Sequence, residues 1–269
     1  MKTLTGRRHA LVTGSSSGIG AAIAMKFAEE GILVSVHGRD VDRTNEVAEK
    51  IASHGTEVVA LIGDVSSDLE VAAIVERAQE AHGPIDILVN NAGRMPDFFP
   101  DWERTSTGEW LELYDTNVIG AVRFVRNVLP QMRQGGWGRI IQIGSISADA
   151  PPPGTQISYG ATKAALLNFS VGLARMLGGS GITVNCVSPG TIETPGLARI
   201  FANGDPGPSF GNTWPEVRRQ LVSGIRKNCA GRMGGVEEVA ELVAFLCSTK
   251  ADYISGVNYR IDGGTINGR

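Results

Sequence analysis

Tyr159 and Lys163 stand four residues apart in a stretch with helical periodicity, 158–177, so their side chains share one face. A phenol titrates near pH 10, and an ammonium group close by favours the phenolate form. Such a pair can give a proton to a developing alkoxide or take one from an alcohol. General acid–base action of this kind typically contributes about 10²–10⁴-fold. Ser145 follows Gln142-Ile143-Gly144 at the carboxyl end of an apolar run, where its hydroxyl can donate to a substrate oxygen; Ser147 is a neighbouring candidate. Asn117 lies inside another helical stretch, 107–133. Asn is a poor helix former, and a local conflict of that sort is what a functional position shows.

A second constellation is Thr13-Gly14-Ser15-Ser16-Ser17-Gly18-Ile19-Gly20, placed between an apolar run and a helical stretch. Glycine there lets the backbone approach a ligand and the helix pack close to a strand. The unpaired N–H groups and dipole of the helix start favour a pyrophosphate. The spacing is G-x-x-x-G-x-G rather than the commoner G-x-G-x-x-G.

The elements that must hold these residues alternate from end to end. Apolar, β-rich runs at 9–12, 32–36, 58–62, 85–89, 139–143, 182–187 and 257–261 are separated by helical patterns at 18–30, 40–54, 68–82, 107–133, 158–177 and 236–247. Continuous apolar strands with helical crossovers predict an α/β fold: a seven-stranded parallel sheet, doubly wound, with helices on both faces. Neither a repeat nor a linker interrupts the pattern, so residues 1–269 read as a single domain carrying both cofactor and catalytic sites. The segment 195–214 is irregular and contains Gly204-Asp205-Pro206-Gly207-Pro208; it reads as a substrate loop, able to order over a ligand.

Composition narrows the classes. The chain has 269 residues, 42% of them hydrophobic, and a formal charge of −3. That fits a globular protein rather than a disordered one, and gives no basic footprint for nucleic acid. No apolar run approaches the roughly 18 residues of a membrane span. Cys186, Cys229 and Cys247 are odd in number and far apart, which points to a reducing, cytoplasmic compartment. His9, His37, His54 and His82 have no metal-ligand spacing, so no metal is expected.

The chain resembles the short-chain dehydrogenase/reductase family, and within it the carbonyl and 3-oxoacyl reductases. The resemblance rests on motifs in family order: the glycine loop, Asp64-Val65, Asn90-Asn91-Ala92-Gly93, Asn117, Ser145, Tyr159-x-x-x-Lys163 and Pro189-Gly190-Thr191-Ile192-Glu193-Thr194. It implies that Tyr159 is the acid/base, that Lys163 tunes it and binds ribose, and that Ser145 orients the carbonyl. Asn117 would hold a water that links the lysine to solvent. The family's usual serine-to-tyrosine interval is thirteen; the three prolines 151–153 suggest a one-residue insertion that makes Ser145, at fourteen, the match. Gly144 replaces the family's first serine.

For the cofactor, the resemblance places Gly14, Ser16, Ser17, Gly18, Ile19 and Gly20 at the pyrophosphate. Asp64 and Val65 belong at adenine, and Asn91, Ala92 and Gly93 along adenosine and ribose. Pro189, Gly190, Ile192 and Thr194 belong at nicotinamide, beside Tyr159 and Lys163. Relatives that prefer NAD end the second strand with an acidic residue; Gly38 stands there, and Arg39 can place its guanidinium against a 2′-phosphate. The expectation is therefore an NADP(H)-dependent oxidoreductase interconverting a carbonyl and a secondary alcohol, assembled as a homotetramer partly through its two long helices. NAD(H) remains the alternative if Asp40 takes the acidic role or Arg39 stacks on adenine. The rivals are an NAD-dependent alcohol or polyol dehydrogenase and a catalytically silent nucleotide sensor. Met95, Phe98, Phe99, Trp102, Phe201, Phe210 and Trp214 are candidates for an apolar substrate pocket.

Overall fold

A computed structural model describes residues 7–95, 105–152, 156–198, 213–224 and 226–266. Seven parallel strands form one sheet: β1 (His9–Val12), β2 (Leu33–Gly38), β3 (Val58–Ile62), β4 (Ile87–Asn90), β5 (Gly138–Ile143), β6 (Ile182–Pro189) and β7 (Asn258–Ile261). Their spatial order is β3-β2-β1-β4-β5-β6-β7. The chain therefore reverses direction across the sheet between β1 and β4, and the carboxyl ends of those strands open a crevice for a ligand. The strand cores are buried on both sides, which is why they read as continuous apolar runs rather than alternating ones.

The helices that cover the sheet are α1 (Gly18–Glu29), α2 (Val41–Ala52), α3 (Asp68–His82), α4 (Thr107–Tyr114), α5 (Gly120–Gly135), α6 (Ile157–Met176), α7 (Trp214–Ser223) and α8 (Val236–Cys247). One apolar layer packs α1 and α8 on β1, β2, β4 and β5 through Ile23, Phe27, Val239, Val243 and Leu246. The opposite layer packs α3, α5 and α6 through Val71, Ile74, Phe124, Val128 and Leu173. The strand boundaries follow the apolar runs to within two residues.

Two elements differ from the sequence expectation. The stretch 107–133 is not one helix: a π-helical turn, Asp115–Ile119, separates α4 from α5, with Asn117 inside it. Such turns insert a residue into the helical ladder and often mark functional sites. Helix α7 was not anticipated; Pro215 in its first turn and the Thr213–Glu216 capping box start it. Of the segment 195–214, residues 199–212 lie outside the described residues, and with them Phe201 and Phe210; Phe98, Phe99 and Trp102 lie outside as well. No helix among the described residues is long and apolar enough to cross a membrane. No group of His, Cys, Asp or Glu among them could hold a metal ion.

Candidate active site

A cavity of roughly 370 Å³ opens at the carboxyl ends of the central strands. Its walls bring together Ser145, Tyr159 and Lys163 with Ser17, Gly18 and Ile19 of the glycine loop. Asn91, Gly93, Pro189, Gly190, Ile192 and Thr194 complete that side. Residues from four distant parts of the sequence thus meet at one crevice.

The glycine loop is shaped by close packing. A Cβ on Gly14 would lie 2.7 Å from Ala92 Cα, and one on Gly20 would lie 2.5 Å from both Asn91 Nδ2 and Gly14 O. Gly14 and Gly18 both have positive φ, where glycine alone is unstrained. The loop is tied down by Asn91, whose Nδ2 donates to Thr13 O and Gly14 O, both at 2.9 Å. Thr13 Oγ1 accepts from the Asn91 and Ala92 amides. Asn91 therefore positions the loop while lining the cavity. Ser17 caps α1 without a side-chain hydrogen bond, and the first turn of α1 carries no acidic residue. The amides that open α1 are left to an anion, so this cradle fits a pyrophosphate.

The candidate acid–base residues, Tyr159 and Lys163, sit on the other wall. Helix α6 can approach the β5 loop because position 160 is glycine: a Cβ there would lie 2.5 Å from Ser147 O. Lys163 is 4% exposed, and its Nζ donates to Ile143 O at 2.8 Å, which fixes it beneath Tyr159, 5.6 Å from the phenol ring centre. Asn117 is buried in the π turn. Its Oδ1 accepts from Arg94 N at 2.7 Å, and its Nδ2 donates to Arg94 O and Thr162 Oγ1. A Cβ on Gly93 would lie 3.3 Å from Asn117 Oδ1 and 3.5 Å from Lys163 Nζ, so both side chains converge on that glycine.

The two serines separate cleanly. Ser145 is half-buried, and its Oγ accepts from Ser147 N at 3.1 Å, leaving its proton for a ligand. Ser147 is buried, and its Oγ donates to Gln156 Oε1 while accepting from Arg226 Nη2. Gly144 has no room for the family's serine: a Cβ would lie 2.6 Å from Ser188 Oγ and 2.8 Å from Cys186 Sγ.

Gly14, Ser16, Gly20, Arg39, Asp64, Val65, Ala92 and Asn117 do not line the cavity itself. Arg39 is 74% exposed by side chain and lies 3.8 Å from Asp64 Oδ2 across the ends of β2 and β3. Asp64 accepts from Ser66 N and Oγ, and chiefly the amide bond holds its carboxyl below the usual carboxylate range. Ser67, not Asp64, caps α3. Val65 is buried, and its carbonyl accepts from Arg123. A Cβ on Gly38 would lie 2.5 Å from Thr44 Oγ1 and 2.8 Å from Ser16 Cβ, so no acidic side chain fits where β2 ends. Asp40 spends its carboxylate on capping α2, accepting from Arg43 N and Arg43 Nε.

Two residues that sequence reasoning missed stand out. Gln156, three residues before Tyr159, is the one non-glycine residue with positive φ among those described. Arg226, just past α7, reaches the cavity wall. Neither belongs to a motif, and no spacing rule would have found them.

The chain resembles known proteins over most of its length. A family model described as "Enoyl-(Acyl carrier protein) reductase" matches residues 14–265. The chain is 37% identical over 255 residues to the 3-oxoacyl-(acyl-carrier-protein) reductase FabG of Pseudomonas aeruginosa, covering 95% of this chain and 96% of that one. Among solved structures it is similar to L-sorbose reductase from Gluconobacter frateurii complexed with NADPH and L-sorbose, with a TM-score of 0.92, 34% identity and full coverage of both chains. It is also similar to a variant actinorhodin polyketide ketoreductase with NADPH, with a TM-score of 0.90, 31% identity and coverage of 97% and 98%. With its sheet order, glycine loop and Ser145–Tyr159–Lys163 cluster, the chain is an oxidoreductase of the short-chain dehydrogenase/reductase family.

Proposed function

We propose that the protein is an NADP(H)-dependent reductase that interconverts a carbonyl and a secondary alcohol. The observation that carries this reading is the single cavity shared by Ser145, Tyr159, Lys163, the glycine loop and the segment from Pro189 to Thr194. When bound, NADP(H) supplies or accepts the hydride. The chain's own residues do the rest. Ser145 and Tyr159 hydroxyls hold the carbonyl oxygen, and Tyr159 passes it a proton as the alcohol forms. Lys163 holds ribose and stabilises the phenolate left behind, and Asn117 supports the water that returns the proton from solvent. The family description names an enoyl reductase, whereas a pair of hydroxyl donors in one cavity, Ser145 and Tyr159, suits a carbonyl oxygen.

The preference for NADP(H) is supported by the exclusion of an acidic side chain at Gly38, by the engagement of Asp40 as a helix cap, and by the exposed Arg39. Residues 1–269 act as one domain, and we read the assembly as a cytoplasmic homotetramer. Exposed Leu111, Ile119, Ile157 and Met176 on the long helical segments support contacts between subunits. The test is a screen of ketones, ketoses, 3-oxoacyl thioesters and alcohols with NADPH and NADH, followed by absorbance. Turnover of at least one carbonyl compound, faster with NADPH, is expected. Cofactor binding without turnover of any compound would favour a nucleotide sensor.

A further inference from the structure

The cavity wall is electrostatically one-sided. Its described lining carries Arg94, Lys163 and Arg226 and no Asp or Glu, on a chain whose formal charge is −3. Two of the three cations are accounted for. Arg94 pairs with Glu112 at 2.9 Å, and Lys163 serves Tyr159 and Ile143 O. Arg226 is different. Arg218 and Arg232, which flank it in sequence, each pair with a carboxylate, Glu193 and Glu238 respectively. Arg226 instead meets only neutral acceptors among the described residues: Ala150 O at 3.1 Å, Ser147 Oγ at 2.9 Å and Gln156 Oε1 at 3.5 Å.

A guanidinium set into a cavity wall without an anion is costly. Burial pulls its pKa below the usual arginine value, opposed by the charge that Tyr159 can carry. Among the described residues the surroundings do not neutralise it. Helix α6 begins here at Gln156 with no side-chain cap and no acidic residue in its first turn, so its positive end adds to the same field. Gln156 is held in the left-handed region by the chain around it, a conformation that concentrates at ligand-binding sites.

We propose that Arg226, with Ser147 and Gln156, forms the anion-recognising end of the substrate pocket, and that the substrate is an oxo acid: a carbonyl compound that also bears a carboxylate. This rests on the reductase reading above and adds the substrate class. The planar fork of Arg226 suits a carboxylate, while Ser145 and Tyr159 hold the carbonyl to be reduced. The product is the matching hydroxy acid, with hydride on the former carbonyl carbon and the proton on its oxygen.

The test compares acids with their uncharged esters. Wild-type and Arg226→Gln enzymes are assayed with NADPH on pyruvate, acetoacetate and levulinate and on the three methyl esters. One acid should exceed its ester in kcat/KM by about 10- to 100-fold, the value of a charge-assisted hydrogen bond. That ratio should fall to near one in Arg226→Gln and recover partly in Arg226→Lys. A wild-type ratio near one would overturn the proposal. So would an equal loss on acid and ester in Arg226→Gln, since that would make Arg226 a strut between two loops. If no carbonyl compound of any kind is reduced, the reductase reading fails separately. Calorimetry with butyrate and butyramide then decides the anion site: butyrate must bind wild type at least about tenfold more tightly than Arg226→Gln, and equal or undetectable binding to both would refute it.

Discussion

Arg39→Ala should weaken NADPH about tenfold and leave NADH nearly unchanged. The structure sets both the direction and the size. Arg39 extends from the end of β2, 74% exposed, and its nearest carboxylate, Asp64 Oδ2, is 3.8 Å away, outside hydrogen-bond range. The guanidinium is therefore available to a 2′-phosphate. A charge-assisted hydrogen bond is worth about 1.5–3 kcal/mol. Exposure and salt screening place this one at the low end, and about 1.5 kcal/mol is close to tenfold. The measurement is fluorescence titration of both cofactors against wild type and variant at two ionic strengths. The NADPH advantage of wild type should shrink as salt rises. An equal loss of affinity for both cofactors would show that Arg39 stacks on adenine, and would refute this account of cofactor choice. Gly38→Asp should not convert the enzyme to NADH, because the new side chain would collide with Thr44 and Ser16 before reaching a ribose.

Gly20→Ala should destabilise the protein by about 2–4 kcal/mol and weaken cofactor binding. Its Cβ would press to 2.5 Å on Asn91 Nδ2 and Gly14 O, adding overpacking to a lost loop hydrogen bond. Gly135→Ala, with nothing within 4 Å, should unfold at or above the wild-type temperature in the same thermal melts. Stability should also fall on mild acidification. Burial pushes His9 and His37 down to about 4. Between pH 6.5 and 4 the unfolded chain therefore binds protons that the folded chain does not, and each histidine withdraws up to about 3 kcal/mol across that window. His37 Nδ1 accepts from Gly14 N, so its protonation also releases the glycine loop. Denaturant melts that gave the same stability at pH 7.5 and pH 5 would count against this.

The sheet was legible because buried parallel strands need apolar residues on both faces, as in Leu11-Val12, Leu88-Val89 and Ile140-Ile141. The glycine loop and the Tyr159–Lys163 pair were legible because their chemistry depends on local spacing. What stayed hidden depends on contacts between distant residues. The π turn at Asn117 keeps helical periodicity on either side, and only its bonds to Arg94 and Thr162 reveal why the helix breaks there. The amide of Asn91 could be read as facing a ligand, but its partners are Thr13 and Gly14, some 77 residues away in sequence. Arg226 was invisible for the same reason: its partners are Ala150, Ser147 and Gln156, and it follows a helix that short-range patterning did not bring out.

The central claim is that Tyr159 transfers the proton at a carbonyl oxygen. Tyr159→Phe keeps the ring and removes only the hydroxyl. The direct measurement is steady-state turnover of the best carbonyl substrate by the purified variant, alongside its NADPH dissociation constant. Turnover should fall by at least about 10²-fold while folding and cofactor affinity persist. Near-normal turnover in a folded, cofactor-binding variant would contradict the account.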